Sequence, residues 1–325
     1  MDNLGIDYRA PYWVLVETKH LLSQEFADLQ AYNCFRFQYP GEAVFSHSRL
    51  ASFEDCPRKF HYRYVLKLAV ETESIEAFAG KRVHEVLERL YQFTGRGLVP
   101  SLGRVIERFR ALWNDAFDPA RIRIAREGAE AEQYRANGVR CLTNYYRRHY
   151  PFDRGETLGV EERVAFSLDE GDRYRVQGVI DRIARAPDEA IEIHDYKTGQ
   201  RVPRQDELDR DRQLALYQIG VTERFGADAP VRLVWHYLLS DQLRTSTRTP
   251  EQLGALRRET MERIDLIRAE RRFEPRPSPL CRWCEYRDVC PAAAGRAPAP
   301  AAGPAIDAAA ALPPATASGQ FLLRL

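Results

Sequence analysis

The sequence lacks several features that would assign it to common classes of protein. No apolar run approaches the roughly 20 residues that a membrane-spanning helix needs, and the first twenty residues lack the basic and then apolar pattern of a secretory signal. The 48 Lys and Arg residues balance the 47 Asp and Glu residues, so no overall basic excess indicates nucleic-acid binding. A Gly-x4-Gly-Lys-Ser/Thr phosphate loop is also absent, which excludes a nucleotide-driven motor of that type. We therefore expect a cytoplasmic protein without a membrane partner.

Two short segments nevertheless mix cations with aromatic rings, over residues 58–64 and 145–150. Such mixtures suit contact with phosphates and stacking on bases. They are also typical of amphipathic helices whose Arg and Lys stems lie along an apolar core. For each segment taken alone, the sequence favours the second interpretation.

The order of predicted elements indicates an α/β protein. Helical patterns that begin at Ser46 or Ser48 fill much of the first half, and three strands, a helix, a strand and a long helix follow. This order favours a mixed central sheet flanked by helices. Residues 1–45 are predicted to be a leader of unclear role. Residues 292–325 are rich in Ala and Pro and nearly uncharged, so we expect a disordered tail after an ordered domain over 46–291.

A predicted hairpin contains the most informative residues of the chain. The Pro187–Glu189 segment is a turn-like cluster between two apolar strand patterns. A hairpin centred there would place Asp181 opposite Asp195, with Cβ atoms roughly 5 Å apart, and Lys197 on the same face as Asp195. Two carboxylates this close repel each other unless a cation lies between them, and carboxylate oxygens suit Mg²⁺ or Mn²⁺. The alternative is an exposed hairpin whose charged residues face solvent.

Four cysteines form a second candidate metal site. Cys281, Cys284 and Cys290 lie close together in the sequence, and a tetrahedral site needs a fourth ligand. Cys56, at the end of a predicted helix, is the best candidate. The spacing favours a [4Fe–4S] cluster over zinc, since a zinc ribbon shows two paired C-x2-C motifs; zinc, or no metal, is the alternative. By analogy with a disulfide, joining Cys56 to the other three would remove about 5 kcal/mol of unfolded-state entropy.

Five motifs occur in a defined order along the chain. They are Ser46 to Pro57, Gly80-x3-His84, Gly178-x2-Asp181, Asp195-Tyr196-Lys197-Thr198-Gly199 and Gln213-x3-Tyr217. With the four cysteines, they resemble the RecB-like branch of the PD-(D/E)XK nuclease superfamily, especially stand-alone RecB-family exonucleases and the iron–sulfur nuclease domain of AddB. Each motif alone is weak, but their order over residues 46–291 makes the resemblance specific. It implies a restriction-endonuclease-like core with an N-terminal helical part and a C-terminal iron–sulfur knot.

The resemblance also implies a set of ligands for a catalytic Mg²⁺ or Mn²⁺ ion. Asp181 and Asp195 would bind the metal, with His84 and the Tyr196 backbone carbonyl as further ligands. Asp195 stands where many members of the superfamily have Glu, a change that the RecB-like branch tolerates.

Three further residues receive roles from the same resemblance. Lys197 would orient or activate the attacking water and stabilise charge near the phosphate, while Gln213 and Tyr217 would position Lys197 and the DNA strand. The chemistry of the residues agrees, because phosphodiester hydrolysis needs a metal as Lewis acid, a water nucleophile and a cation near the transition state.

We therefore expect a metal-dependent DNA nuclease, acting as an exonuclease on DNA ends or single strands in repair or recombination. One alternative is an iron–sulfur nuclease of CRISPR adaptation, and another is a non-catalytic DNA-binding module that serves a partner helicase. The expected partners are DNA and a separate helicase subunit. The last six residues, Gln320–Leu325, resemble sliding-clamp-binding peptides of the Gln-x-x-Leu-x-Leu type, which adds a sliding clamp as a candidate partner.

Overall fold

The computed structural model describes residues 43–293. The predicted leader and tail lie outside these residues, apart from positions 43–45 and 292–293, and so does the segment Gln320–Leu325. In the described part of the chain, no helix is both long enough and apolar enough to cross a membrane.

The first helices place Cys56 at a break between two helical segments. Helix α1, His47–Asp55, begins as predicted at Ser46, whose hydroxyl accepts a hydrogen bond of 3.1 Å from a backbone N–H of the first turn. Helix α2, Pro57–Phe60, continues into a π-helical turn, His61–Val65. Cys56 has an extended backbone, and the proline after it starts the next helix because that position needs no N–H partner.

Three long helices form one layer against the sheet: α3, Ile75–Thr94; α4, Leu102–Ala116; and α5, Ala131–His149. Their buried side chains form a core that also includes Tyr196 of the sheet. Helix α3 begins five residues before the Gly80-x3-His84 motif, because a serine caps it through its hydroxyl. The motif therefore lies inside the helix.

Five strands form the mixed central sheet that the sequence predicts, and two further strands form a separate short pair. In chain order the strands are β1, Glu73–Ser74; β2, Ile122–Arg123; β3, Glu156–Ser167; β4, Arg175–Arg185; β5, Ile191–Lys197; β6, Val231–Tyr237; and β7, Gln242–Ser246. In the central sheet, β3 to β7 follow one another in order, and all neighbours are antiparallel except β5 and β6. The sequence analysis missed β7, whose only large apolar side chain is Leu243.

The remaining helices are α6, Gln205–Leu208; α7, Arg212–Phe225; and α8, Pro250–Ala269. Helix α7 packs on the sheet opposite the three-helix layer, and α8 packs on α7. The helical sequence pattern over 206–225 is divided between α6 and α7. The chain turns after α6 because Asp211 caps a new helix through its side chain.

Helix α7 explains the glycine of the Gly178-x2-Asp181 motif. A Cβ atom at Gly178 would lie 2.1 Å from the Cε1 atom of Tyr217, far inside contact distance. Tyr217 is buried in the core between α7 and the sheet. The absence of a side chain at Gly178 therefore lets α7 approach the strand that contains Asp181.

We expect Gly178→Ala to lower the free energy of unfolding by about 1–3 kcal/mol, the usual cost of overpacking a core. Urea unfolding at neutral pH measures this change. Gly254→Ala on α8 is the matched control, since a Cβ there would meet only the end of the Arg258 side chain at 3.7 Å, and helix propensity predicts a neutral or stabilising effect. Adding Tyr217→Leu to Gly178→Ala should restore part of the lost stability. A Gly178→Ala protein as stable as the wild type would contradict the packing explanation.

Candidate active site

The hairpin of β4 and β5 brings two acidic residues together. The paired residues are centred on position 188, so Asp181 lies opposite Asp195 when the ladder is continued by one residue, as the sequence predicts. The Tyr196 N–H donates a hydrogen bond of 2.6 Å to Asp181 Oδ2 and joins the two strands at this point. The turn between the strands falls at the predicted residues.

Asp195, Lys197 and Gln213 form a closed triangle of polar contacts. The Lys197 Nζ atom lies 2.7 Å from Asp195 Oδ2 and donates a hydrogen bond of 2.9 Å to Gln213 Oε1. The Gln213 amide nitrogen donates a bond of 2.9 Å to Asp195 Oδ1. Burial alone would lower the pKa of Lys197, but the Asp195 carboxylate raises it above its usual value. Lys197 is therefore an ammonium ion at neutral pH, able to donate hydrogen bonds to a phosphate or a water.

His84 on α3 contacts both strands of the hairpin. Its Nε2 atom lies 2.9 Å from the Tyr196 carbonyl oxygen, and its Nδ1 atom lies 3.3 Å from Asp181 Oδ1. Both partners accept hydrogen bonds, so both ring nitrogens carry a proton in this arrangement. Burial lowers the pKa of His84, but the Asp181 carboxylate more than offsets this effect and the pKa rises to about 9. A metal ion bound by His84 would have to displace one of these protons.

Glu161 on β3 is a site residue that the sequence analysis missed. The residues on either side of Glu161 are paired with Arg182 and Ile180, so Glu161 lies across from Asp181. Its φ of 48° is in the left-handed region, which is uncommon for a residue with a side chain. Burial, reinforced by repulsion from Asp181, raises the pKa of Glu161 to about 7. The sequence did contain a signal for this residue. Glu161 and Glu162 are adjacent acidic residues in a strand, so their side chains point to opposite faces and one of them must face the interior.

His84, Glu161 and Asp181 together form a candidate metal site. Each offers one ligand atom, and these atoms lie within 4.8 Å of one another. Two carboxylates and an imidazole suit a divalent cation, which would also relieve the repulsion between the carboxylates. Asp195, a ligand predicted from the sequence, lies outside this close group and is engaged by Lys197.

Gln213 and Tyr217 lie one turn apart on α7, as predicted. The Tyr217 hydroxyl hydrogen-bonds with the Gln213 side chain, and burial raises the pKa of Tyr217 to about 12. The first turn of α7 is anchored to α1 by Arg212, whose terminal nitrogens donate bonds of 2.7 and 2.8 Å to the Glu54 carboxylate. Gln213 is thus held at a fixed helix end, and Tyr217 acts on the Lys197 triangle through Gln213.

A buried polar network lies behind β5, on the side that faces α3 and α5. Arg182 is 5% exposed, its Nη2 atom lies 2.8 Å from His194 Nε2, and His194 Nδ1 lies 2.8 Å from His236 Nε2. The hydroxyl groups of Tyr145 and Tyr196 lie 3.2 Å apart in the same region. Burial lowers the pKa of His194 and of His236 well below the usual value, so both are neutral. Arg182 follows Asp181 and His194 precedes Asp195 in the chain. The network therefore holds the backbone of both aspartates from the opposite side of the sheet.

The two segments that mix cations with aromatic rings contribute mainly to the core. Tyr145 and Tyr146 are buried in the three-helix layer, and Arg58 and Tyr62 are buried beside the cysteines. For these residues, the interpretation as amphipathic helix faces is confirmed.

One cavity is lined by all four of the cysteines that the sequence groups together, namely Cys56, Cys281, Cys284 and Cys290. Backbone N–H groups point at two of the sulfur atoms: Arg276 N–H lies 3.4 Å from Cys56 Sγ, and Ser278 N–H lies 3.4 Å from Cys281 Sγ. Basic side chains line the same cavity: Arg58, Lys59, Arg276 and Arg287.

Comparisons with known proteins agree with this geometry at the level of a family. A family model described as the PD-(D/E)XK nuclease superfamily matches residues 44–291. Among solved structures, a protein of Eubacterium rectale described as a candidate exonuclease is 12% identical, with a TM-score of 0.47 over 78% of this chain and 91% of that chain. The protein SSO0001 is 14% identical, with a TM-score of 0.35 over 86% of this chain and 98% of that chain. Likenesses at these TM-scores carry no functional argument, and no curated protein sequence matches the chain significantly.

We expect Glu161→Gln to weaken Mn²⁺ binding by at least about tenfold, because the substitution removes a ligand carboxylate. Isothermal titration of Mn²⁺ into the protein without DNA measures this affinity. Glu162→Gln is the matched control, since the Glu162 carboxylate accepts a hydrogen bond of 2.8 Å from Arg224 and does not belong to the close group. An unchanged Mn²⁺ affinity in Glu161→Gln would remove Glu161 from the metal site.

Proposed function

The chain belongs to the PD-(D/E)XK nuclease superfamily, and we propose that it is a metal-dependent DNA nuclease that acts as an exonuclease on DNA ends or single strands in repair or recombination. The observation that supports this proposal best is the meeting of Glu161, Asp181 and Asp195 on three adjacent strands, with the Lys197 ammonium beside them. Nucleases of this superfamily use divalent metals, and the donor set of His84, Glu161 and Asp181 fits such an ion.

The residues of the site have separate tasks in phosphodiester hydrolysis. A divalent ion held by this donor set would supply a Lewis acid for the phosphate and a bound water of lowered pKa. Lys197 donates hydrogen bonds to phosphate oxygens, on which negative charge grows as water attacks. Asp195 and Gln213 hold the ammonium in place through contacts of 2.7 and 2.9 Å. The water oxygen bonds to phosphorus and gives up a proton to solvent, the bond to the leaving sugar oxygen breaks, and that oxygen takes up a proton from solvent.

We also propose that the four cysteines hold a [4Fe–4S] cluster, which would place the chain in the RecB-like branch of the superfamily. Two observations support a metal centre here: the thiols line one cavity, and backbone N–H groups point at two of the sulfur atoms. The spacing of the cysteines in the sequence favours the cluster over zinc. The basic residues around the cavity would offset the negative charge of a thiolate-bound cluster. Zinc is the alternative occupant.

The proposed partners and location follow from the sequence. A separate helicase would supply unwound DNA, since the chain shows no nucleotide-driven motor motif, and Gln320–Leu325 would bind a sliding clamp. Thiol and metal-ligand cysteines fit a cytoplasmic location. An iron–sulfur nuclease of CRISPR adaptation would use the same site, and trimming of DNA ends by a defined length, in place of extended degradation, would identify it.

We expect Lys197→Ala and Asp181→Asn to reduce Mg²⁺- or Mn²⁺-dependent DNA cleavage by at least about 10²-fold, because each removes a charge that stabilises the transition state or its metal. Degradation of end-labelled single- and double-stranded DNA, with a chelator control, measures the activity. Asp188→Asn at the exposed hairpin tip is the matched control, since Asp188 pairs with Arg232 across the surface and the substitution should not affect cleavage. Cleavage at the wild-type rate by both site variants would contradict the assignment. Tight DNA binding by the wild type without turnover in any divalent metal would favour the non-catalytic module.

We expect protein purified without oxygen to be brown and to contain iron and sulfide, and we expect Cys281→Ser and Cys290→Ser to lose both. The cysteine variants should also unfold at lower urea concentrations, because the cluster joins distant parts of the chain. Cys141→Ala is the control that should keep its iron, since Cys141 is buried in α5 and burial raises its pKa to about 12. A colourless protein with stoichiometric zinc would replace the cluster by a zinc site.

A further inference from the structure

A second cavity opens beyond the end of β5, next to the candidate active site. Its walls are α3, α5 and residues 198–200, which follow Lys197 directly, and Arg126 and Trp283 complete its lining. We call it the Trp283 groove. It shares no lining residue with the metal site or with the Lys197 triangle, so it is a separate feature that needs its own explanation.

Trp283 presents a partly exposed aromatic ring at the wall of the groove. The residue is 38% exposed, and within residues 43–293 no aromatic ring or cation stacks on its indole. Its backbone is nevertheless fixed, because the Arg123 Nη2 atom donates bonds of 3.2 Å to the Trp283 carbonyl and 2.8 Å to the Cys284 carbonyl. A large ring held in this way at the wall of a groove is suited to stacking on a planar ligand.

The other walls favour a neutral planar ligand over a phosphate group. Apolar side chains of α3 and Leu239 line part of the groove. Arg126 and Glu76 contribute one charge of each sign, which leaves no surplus of cations for a phosphate. Asn137 and Gln200 add amide groups that make no side-chain hydrogen bond within the described part of the chain. Amides donate and accept hydrogen bonds, as the edges of nucleobases do.

The groove lies directly beside the place where the reacting phosphate would bind. Gln200 is three residues beyond Lys197, which is at most about 10 Å along the chain. On α3, Val83 of the groove is the chain neighbour of His84 of the metal site. Helix α3 also touches the end of β5 directly, since a Cβ atom at Gly80 would lie 3.1 Å from Thr198 Oγ1. A nucleotide next to the scissile bond would therefore reach the groove.

We propose that the Trp283 groove receives an unpaired nucleobase next to the scissile phosphate and stacks it on the Trp283 indole. This inference rests on the proposed nuclease function and deepens it by naming single-stranded nucleic acid as the substrate class at the site. Inside a duplex, both faces of a base are covered by its neighbours, so an internal base must leave the stack before it can offer a face to the indole.

The groove also gives the cysteine-rich segment a role in substrate binding. Trp283 lines both the groove and the cysteine cavity, and it lies between two of the proposed cluster ligands in the sequence. The segment that holds the cluster therefore sets the position of the stacking ring. Its contribution is to affinity for the substrate, because the hydrolytic groups belong to other elements.

The first test is the affinity of the full chain for a fluorescent single-stranded oligothymidylate, measured by anisotropy without added divalent metal. We expect Trp283→Ala to weaken binding by about 5- to 140-fold, which corresponds to 1–3 kcal/mol of base stacking at 1.4 kcal/mol per tenfold change. Trp283→Phe should retain most of the affinity. Leu280→Ala is the matched control, because Leu280 is equally part of the cysteine-rich segment and is 58% exposed, but does not line the groove.

The second test separates a base from the sugar-phosphate backbone. A fully abasic oligonucleotide of the same length keeps every phosphate and removes every base. We expect the wild type to lose affinity for this ligand, and we expect Trp283→Ala to lose less, so that the double-mutant cycle gives a coupling between Trp283 and the bases. If Trp283→Ala fails to fold, Trp283→Leu, which keeps an apolar side chain but lacks an aromatic face, takes its place in the cycle, and Trp283→Phe should behave like the wild type.

The outcomes distinguish this inference from the proposed function. Equal affinity of Trp283→Ala and the wild type, or an equal abasic loss in both proteins, would overturn the groove as a base site even if the wild type degrades DNA. Base-dependent binding through Trp283 by a protein that cleaves nothing would support the groove and overturn the nuclease. If both proposals hold, Trp283→Ala should raise KM for single-stranded DNA and leave kcat nearly unchanged.

Discussion

Repulsion between closely spaced carboxylates is the constraint on which the rest of the site depends. Glu161, Asp181 and Asp195 lie at the same level of three adjacent strands, where directly opposed side chains are about 5 Å apart. Asp181 is balanced by His84 at 3.3 Å and Asp195 by Lys197 at 2.7 Å. Glu161 has its pKa raised to about 7 and is partly protonated at neutral pH. A divalent ion bound here would replace the protons on His84 and Glu161, so metal binding and protonation compete for the same groups.

The part of the site that lies on one hairpin could be predicted from the sequence because a short turn fixes the pairing of its strands. The Pro187–Glu189 turn determines the register, and the two-residue period of a strand then places Asp195 and Lys197 together. Glu161 could not be placed in this way. The connection between β3 and β4 spans residues 168–174, which is too long to fix a register from sequence.

Other features depend on contacts between distant elements. From sequence, polar residues of a strand are normally predicted to face solvent. Arg182 of β4 and His194 of β5 are nevertheless buried, because α5 covers that side of the sheet. Strand β7 is an edge strand with few apolar residues, so it gave no pattern to detect. The cysteines could be grouped across more than two hundred residues because metal chemistry requires a set number of ligands, a long-range constraint that hydrophobic periodicity does not supply. The domain limits and the roles of the leader and tail stay predictions.

The polar network behind β5 has a consequence for the accuracy of the site. Alternate residues of β5 serve opposite sides: Asp195 and Lys197 meet Gln213 of α7, while His194 and Tyr196 face the network. A slip of the strand by one residue would exchange these faces. With a purely apolar core behind β5, such a slip would cost mainly packing energy. Here it would also leave the buried guanidinium of Arg182 without its hydrogen-bond partners. The penalty for such a charged group is about 1–3 kcal/mol or more. The buried cation thus reinforces the register that the turn sets, and it keeps the carboxylates aligned despite their repulsion.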